Sequence, residues 1–101
     1  MNRILYLMTI ILVEDNPDEE ALALIAFKKS GIDQQIAVAR DGQEAVDYML
    51  AQGVYHERDV KALQSVIFLD INLPKLSGLE VLKILRQEER TKLVPVVLLT
   101  S

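Results

Sequence analysis

The sequence predicts an α/β fold, a doubly wound parallel sheet flanked by helices, and two patterns support that prediction. Short apolar runs alternate along the chain with longer amphipathic segments, and the runs are nearly continuous in hydrophobic residues, as strands buried on both faces are. Each of the three amphipathic segments opens on a helix-capping signal. Strand followed by helix, repeated along the chain, is the pattern of parallel pairing with helical crossovers.

Length and composition indicate one globular domain over residues 1–101, because the hydrophobic fraction is 50% and the charged fraction 26%. The absence of cysteine excludes a disulfide framework and fits the cytoplasm. A net charge of -4 argues against direct binding of nucleic acid. The apolar run from Ile4 to Val13 is shorter than the roughly 20 residues that span a bilayer, and no cleavage pattern of a signal peptide follows it, so we expect no membrane segment.

Three helices are predicted from their start signals. The first is capped by Asn16 and ends near Ser30, with Gly31 as its stop; the second and third follow the caps Asp41 and Ser77. Three residues after each cap stands a glutamate, which is the spacing of a capping box: Glu19, Glu44 and Glu80.

Four strands are predicted over residues 10–13, 35–39, 66–69 and 96–99. Right-handed crossovers place every strand-to-helix loop at the carboxyl edge of a parallel sheet. Ligands of open α/β sheets bind at that edge, where the strand order reverses. The loops after the first, third and fourth strands are therefore the predicted location of the chemistry.

Three acidic residues end strands at this edge: Glu14 and Asp15 after the first strand, and Asp70 at the end of the third. If those strands are neighbours, the three carboxylates converge and raise one another's pKa unless a cation intervenes. Mg²⁺ suits such an all-oxygen site and leaves room for phosphate oxygens. The alternative is that these acids merely face solvent, but three at neighbouring strand ends favour a functional site.

Asp70 ends the run VIFLD, so a buried strand holds its backbone while its carboxylate projects into the edge. A carboxylate placed in this way can attack phosphorus and form an acyl phosphate. Thr100, at the end of the fourth strand, offers a hydroxyl that could bind a phosphoryl oxygen. Alternatively, Thr100 and Ser101 cap a helix that would follow.

The segments ILVEDNPDE, FLDINLPKLSGLEVLKILR and VPVVLLTS resemble the receiver domain of two-component response regulators, the CheY-like family with a flavodoxin-like three-layer α/β/α fold. The resemblance covers essentially the whole chain. It rests on the acid pair, the Asp-x-Asn-x-Pro run with its downstream glycine, and a threonine thirty residues after the aspartate. It implies a cytoplasmic signalling domain that catalyses only its own phosphorylation and dephosphorylation and is not otherwise an enzyme.

The resemblance also implies roles for single residues. Asp70 would accept a phosphoryl group from a sensor histidine kinase, and Thr100 would be the switch hydroxyl that moves toward that group. Mg²⁺ would be held directly by Asp15, mainly through water by Glu14, and by the carboxylate of Asp70. The backbone carbonyl of Asn72 would complete its protein ligands. The loop into the third helix would be shaped by Pro74 and Gly78.

The polar connection 51–65, with the segments around it, is similar to single-domain regulators paired with bacterial phytochromes, which implies a phytochrome-like kinase as partner; the output partner stays open. A receiver domain has five strands and five helices, whereas this sequence ends after the fourth strand. The last strand, the last two helices and the family's phosphoryl-binding lysine would lie beyond it. We expect either that the sequence is part of a longer chain or that it forms a homo-oligomer or intertwined dimer, since the fourth strand would otherwise be an apolar edge.

Two other classes of function remain open from the residues. The run DIN at 70–72 is faintly similar to the Asp-x-Asp motif of haloacid-dehalogenase-type phosphatases, although Asn72 replaces the second acid. A degenerate receiver that binds a partner independently of phosphorylation is the other alternative.

Overall fold

The computed structural model describes residues 9–32, 35–58 and 65–100 of the chain, so the apolar residues before Thr9 and the predicted cap Ser101 lie outside the described part. The elements in chain order are β1 (Thr9–Val13), α1 (Pro17–Lys29), β2 (Ile36–Ala39), α2 (Gly42–Leu50), a 3₁₀ turn (Gly53–Tyr55), β3 (Ser65–Asp70), α3 (Gly78–Gln87) and β4 (Val96–Leu99).

The four strands form one parallel sheet in the order β2-β1-β3-β4. From β1 the chain first adds β2 on one side and then β3 on the other, so the strand order reverses between β1 and β3. The predicted doubly wound α/β fold is confirmed, and so is the condition that the first and third strands are neighbours. The reversal point is where open sheets of this kind bind ligands.

One face of the sheet is covered by α2 and α3. Alternate residues of the central strands, Ile11 and Val13 in β1 and Ile67 and Leu69 in β3, point into this layer because successive side chains of a strand face opposite ways. They are buried against apolar side chains of the two helices, namely Ala45, Val46, Met49, Val81 and Leu85. The main hydrophobic core therefore lies between the sheet and these two helices.

The other face lies under α1. Phe68 of β3 points to this side and contacts Phe27 of α1 edge to face, with ring centroids 4.9 Å apart. Ile10 and Leu12 of β1 are buried. None of the thirteen residues of α1, all within the described part of the chain, is buried.

The predicted N-caps of the three helices are confirmed. The side chain of Asn16 accepts hydrogen bonds from the backbone of the first turn of α1, Asp41 does the same for α2, and Ser77 for α3. The first helix ends as predicted, with Ser30 as its C-cap and Gly31 in the left-handed region at φ 79°. These caps satisfy amide groups that a helix leaves without internal partners.

The reciprocal half of the capping box forms as predicted in α3, where Glu80 accepts from the cap amide at 3.5 Å. In α1 the amide of Asn16 donates instead to Oε2 of Glu14, at 3.2 Å. In α2 the carboxylate of Glu44 accepts instead from the amide of Arg40, also at 3.2 Å. In the first two helices, the predicted hydrogen bond from the cap amide to the glutamate side chain is therefore wrong. In α1 the cap amide has another acceptor, and in α2 the glutamate has another donor.

Among the described residues there is no helix long and apolar enough to cross a membrane.

Candidate metal centre

The acidic cluster at the carboxyl edge follows from the strand register. Val13 of β1 pairs with Leu69 of β3, so the residues that follow them emerge side by side. Glu14, Asp15 and Asp70 each offer a carboxylate oxygen, and these three atoms lie within 4.8 Å of one another. The convergence predicted from the sequence is confirmed.

Asp70 is the most deeply placed of the three, with 5% of its surface exposed. It is the last residue of β3, so its backbone is fixed by the ladder to β4, in which it pairs with Leu99. Its Oδ1 accepts a hydrogen bond from the amide of Asn72 at 3.1 Å. The strand and this turn together hold the carboxylate at the edge of the sheet in one orientation.

Glu14 is 8% exposed and its Oε2 accepts from the amide of Asn16. Burial raises the pKa of the Glu14 carboxyl, and the neighbouring charge of Asp70 raises that pKa further, while the hydrogen bond from Asn16 opposes both effects. The net direction is upward. Ionised Glu14 is therefore destabilised in this cluster by desolvation and by repulsion.

These residues fit a hard divalent cation. All the donors are oxygens, they come from two rigid strand ends, and at least one of them resists ionisation beside its neighbours. A cation placed among them would offset the repulsion, and Mg²⁺ commonly uses a few carboxylates while keeping water ligands. Asp15 is exposed at the surface of the cluster, which gives solvent and a phosphate group a direct approach to it.

A cleft of about 400 Å³ opens over the cluster. Glu14 and Asp70 form part of its wall, and Thr100, directly after β4, lies on the same wall. The cleft therefore contains the predicted switch residue together with two of the predicted metal ligands. Its remaining lining residues are Glu19, Leu22, Ala23 and Leu99.

The contribution of α1 to this cleft was missed from the sequence. The sequence predicts only a capping role for Glu19 and no role for Leu22, yet both line the cleft, and Leu22 is 62% exposed. The available signal was their position in the first two turns of a helix that starts at the ligand-binding edge of the sheet. Residues there face the edge as well as the layer below.

Gly78 fixes the loop that follows Asp70. Its amide donates to the carbonyl of Ile71 at 2.8 Å. A Cβ at this position would overlap the carbonyl oxygen of Asp70 and lie 2.7 Å from Cα of Ile71. A glycine is required here because the start of α3 packs directly against the backbone of the phosphoacceptor candidate.

Comparison with known proteins agrees with this geometry. The family model of the response regulator receiver domain matches residues 10–101. Response regulator Rcp1 of Synechocystis sp. is 38% identical over 92 residues, which cover 91% of this chain and 60% of that protein. The probable methanogenesis regulatory protein FilR2 of Methanothrix harundinacea is 39% identical over 92 residues, 91% of this chain and 57% of that protein.

Solved structures show the same fold. The bacteriophytochrome response regulator AtBRR superposes with a TM-score of 0.84 at 44% identity, covering 94% of this chain and 67% of that one. The Mn²⁺-bound form of Rcp1 superposes with a TM-score of 0.80 at 38% identity, covering 92% and 65%. The chain spans about three fifths of the length of the curated relatives described above.

The chain belongs to the family of response regulator receiver domains. Its parallel sheet with the acidic edge is the CheY-like, flavodoxin-like fold of that family. Receiver domains are signalling modules of two-component systems, which interact with histidine kinases and with downstream partners. The predicted class of protein is thereby confirmed.

Proposed function

We propose that Asp70 is the phosphoacceptor of this receiver domain and takes a phosphoryl group from a histidine of a sensor kinase. The observation that carries the proposal is the position of Asp70, a buried carboxylate at the end of a central strand, inside a carboxylate cluster and on the wall of an open cleft. A carboxylate oxygen of Asp70 attacks phosphorus, the bond between phosphorus and the imidazole nitrogen breaks, and its electron pair stays on the imidazole.

The cluster would hold Mg²⁺ directly through Asp15, mainly through water by Glu14, and through the carboxylate of Asp70 itself. The backbone carbonyl of Asn72 would be a further ligand. When bound, Mg²⁺ supplies positive charge that offsets the carboxylates and the phosphoryl oxygens. The amide of Asn72 already holds Oδ1 of Asp70, so the turn that would present the carbonyl also orients the nucleophile. Support for a divalent cation comes from the donor set and from the relative Rcp1, whose solved form contains Mn²⁺.

The hydroxyl of Thr100 would bind a phosphoryl oxygen, since Thr100 lines the same cleft as Asp70. Movement of that hydroxyl toward the phosphoryl group would then transmit the modification to the surface around β4. The catalytic work of the chain would be limited to its own phosphorylation and dephosphorylation.

For the partner, we propose a cytoplasmic kinase of the phytochrome type. Two relatives support this: AtBRR is a bacteriophytochrome response regulator at 44% identity, and RcpA is a cyanobacterial phytochrome response regulator at 35% identity. We further propose that residues 1–101 belong to one receiver domain, consistent with a family match that extends from residue 10 to residue 101.

The test is incubation with acetyl phosphate and Mg²⁺ followed by intact-mass measurement. We expect an adduct of about 80 Da, the mass of one phosphoryl group, that is absent in Asp70→Asn and absent when the metal is chelated. Asp47→Asn is the matched control, because Asp47 is an aspartate of α2 outside the acidic cluster; it should keep the adduct. A folded wild-type protein that gains no mass, or an adduct that persists in Asp70→Asn, would contradict the proposal.

A further inference from the structure

The tip of the loop between β3 and α3 (residues 71–77) contacts the start of α2. The amide of Gly42 donates to the carbonyl of Pro74 at 3.4 Å. Nζ of Lys75 lies 3.3 Å from Oδ2 of Asp41, the cap residue of α2. Two contacts between residues far apart in sequence thus join the loop after Asp70 to α2, on the sheet face that α2 and α3 cover.

The two backbones approach so closely that position 42 admits only glycine without rearrangement. A Cβ on Gly42 would overlap the carbonyl oxygen of Leu76 and lie 2.7 Å from its Cβ. The start of α2 and the tip of the loop are therefore in direct contact, and the ion pair lies beside that contact.

Lys75 occupies a backbone conformation that needs support. Its φ is 67°, in the left-handed region that side chains other than glycine rarely adopt, and the amide of Leu76 donates across it to the carbonyl of Pro74 at 2.9 Å. A three-residue turn with positive φ is an uncommon and strained arrangement. Such a conformation persists only where surrounding contacts hold it, and Asp41 and Gly42 supply those contacts.

The near end of the same loop carries the site. Asn72 binds Oδ1 of Asp70 through its amide, and Gly78 closes the loop by bonding Ile71. The loop is only seven residues long, so its tip and its base cannot move independently over large distances. The position of the tip therefore limits the orientations available to the backbone of Asn72.

We propose that Lys75 and Asp41 form a latch that positions the loop of the metal and phosphorylation site, with Lys75 as a positioning residue. The inference rests on the proposed function of Asp70, since it assigns the latch to that site. The Lys75 side chain is 67% exposed, whereas the Asp41 side chain is only 19% exposed, so the latch joins an exterior lysine to a largely covered carboxylate. The cap contacts of Asp41 with α2 give the latch its fixed end.

The experiment compares Lys75→Gln, Asp41→Asn and the double variant with wild type. The asparagine keeps a side-chain oxygen that can accept from the amide of Glu44, so Asp41→Asn removes the charge while retaining the cap. Lys92→Gln is the control for loss of a lysine ion pair outside the loop, because Lys92 pairs with the exposed Glu89 at 2.9 Å, beyond the end of α3. Lys75→Arg is the conservative variant that should restore the pair.

The measured quantities are the Mg²⁺ concentration for half-maximal phosphorylation by acetyl phosphate, and the hydrogen-exchange rates of the Leu76 and Gly78 amides. We expect each latch variant to raise both quantities by about 1.4- to fivefold, the range measured for surface ion pairs. In the double variant, neither quantity should rise above its value in the more strongly affected single variant. Lys75→Arg should give the wild-type values. Lys92→Gln should change neither quantity.

Equal values for Lys75→Gln and Lys92→Gln in both measurements would overturn the latch. So would additive effects in the double variant, because two independent residues add and a pair does not. If the wild type forms no adduct, the proposed function of Asp70 fails, and the exchange rates alone then decide on the latch: unchanged rates at Leu76 and Gly78 overturn it as well.

Discussion

The two faces of the sheet differ in how deeply the side chains of their helices are buried. Under α2 and α3 the central strands meet fully buried helical side chains such as Met49 and Leu85. Under α1 the strands are buried too, but the helix itself contributes no fully buried residue within the described chain, and Leu22 and Ile25 remain more than half exposed. Among the described residues the first face is therefore the more closely packed, whereas on the second face α1 borders the cleft.

The largest effect is expected from Leu85→Ala. Leu85 is completely buried in the core of the packed face, so its truncation removes apolar contacts and leaves a cavity. We expect a loss of about 2–5 kcal/mol in the free energy of unfolding. Urea denaturation followed by circular dichroism measures it. A loss below about 1 kcal/mol would mean that the core between the sheet and the helices α2 and α3 contributes little to stability.

Gly78→Ala is expected to rank second. The added methyl group has to push the start of α3 away from the backbone of Asp70, at a cost of about 1–3 kcal/mol, and it should also weaken Mg²⁺ binding. Calorimetric titration with Mg²⁺ and denaturation measure the two effects. Gly31→Ala is the control: it is strained by its φ of 79° but meets no atom within 4 Å, so it should lower stability without changing Mg²⁺ affinity.

The helix caps give a third contrast, because α2 is capped by a charged residue and α1 by a neutral one. We expect Asp41→Ala to cost about 1 kcal/mol at pH 7. The hydrogen bond from the Glu44 amide lowers the pKa of Asp41 below its ordinary value of 3.8; burial opposes this shift, and Lys75 adds to it. Its charge therefore contributes stability above that value, and the contribution is lost as the pH falls through the lowered pKa.

Denaturation of wild type and Asp41→Asn between pH 7 and pH 2 measures that contribution. The wild type should be the more stable at neutral pH, and the difference should vanish at the acidic end. Asn16→Ala, at the cap of α1, should show no such titration against wild type. A pH-independent difference for Asp41→Asn would show that its charge contributes nothing.

The smallest effect on stability is expected from Leu22→Ser on the loosely packed face. Leu22 is 62% exposed, so its replacement should change the free energy of unfolding by less than about 0.5 kcal/mol. Because Leu22 lines the cleft, the same variant should still alter the rate of phosphorylation by acetyl phosphate. A loss of stability comparable to that of Leu85→Ala would remove the distinction between the two faces.

The strands, the helix caps and the convergence of Glu14, Asp15 and Asp70 were all predictable from the sequence, because each depends on local patterns and on one rule about parallel crossovers. The sequence did not indicate how α1 would be used. Its apolar residues predict a helix with a buried stripe, but how much of that stripe is covered depends on other elements. The pairing of Lys75 with Asp41 was likewise unpredictable, since it depends on a positive φ at a non-glycine residue.

The hydrogen bond from the amide of Asn16 to Glu14 would couple the start of α1 to binding of the proposed ion. Oε2 of Glu14 serves the helix start, and the same carboxylate belongs to the cluster proposed to hold Mg²⁺. If drawing Glu14 toward a cation weakens its bond to Asn16, the ion changes the free energy of the first turn of α1. A protein that binds the exposed side of α1 and fixes this turn would then change the affinity for the ion. Thermodynamic reciprocity requires that the ion change the affinity for that protein by the same factor.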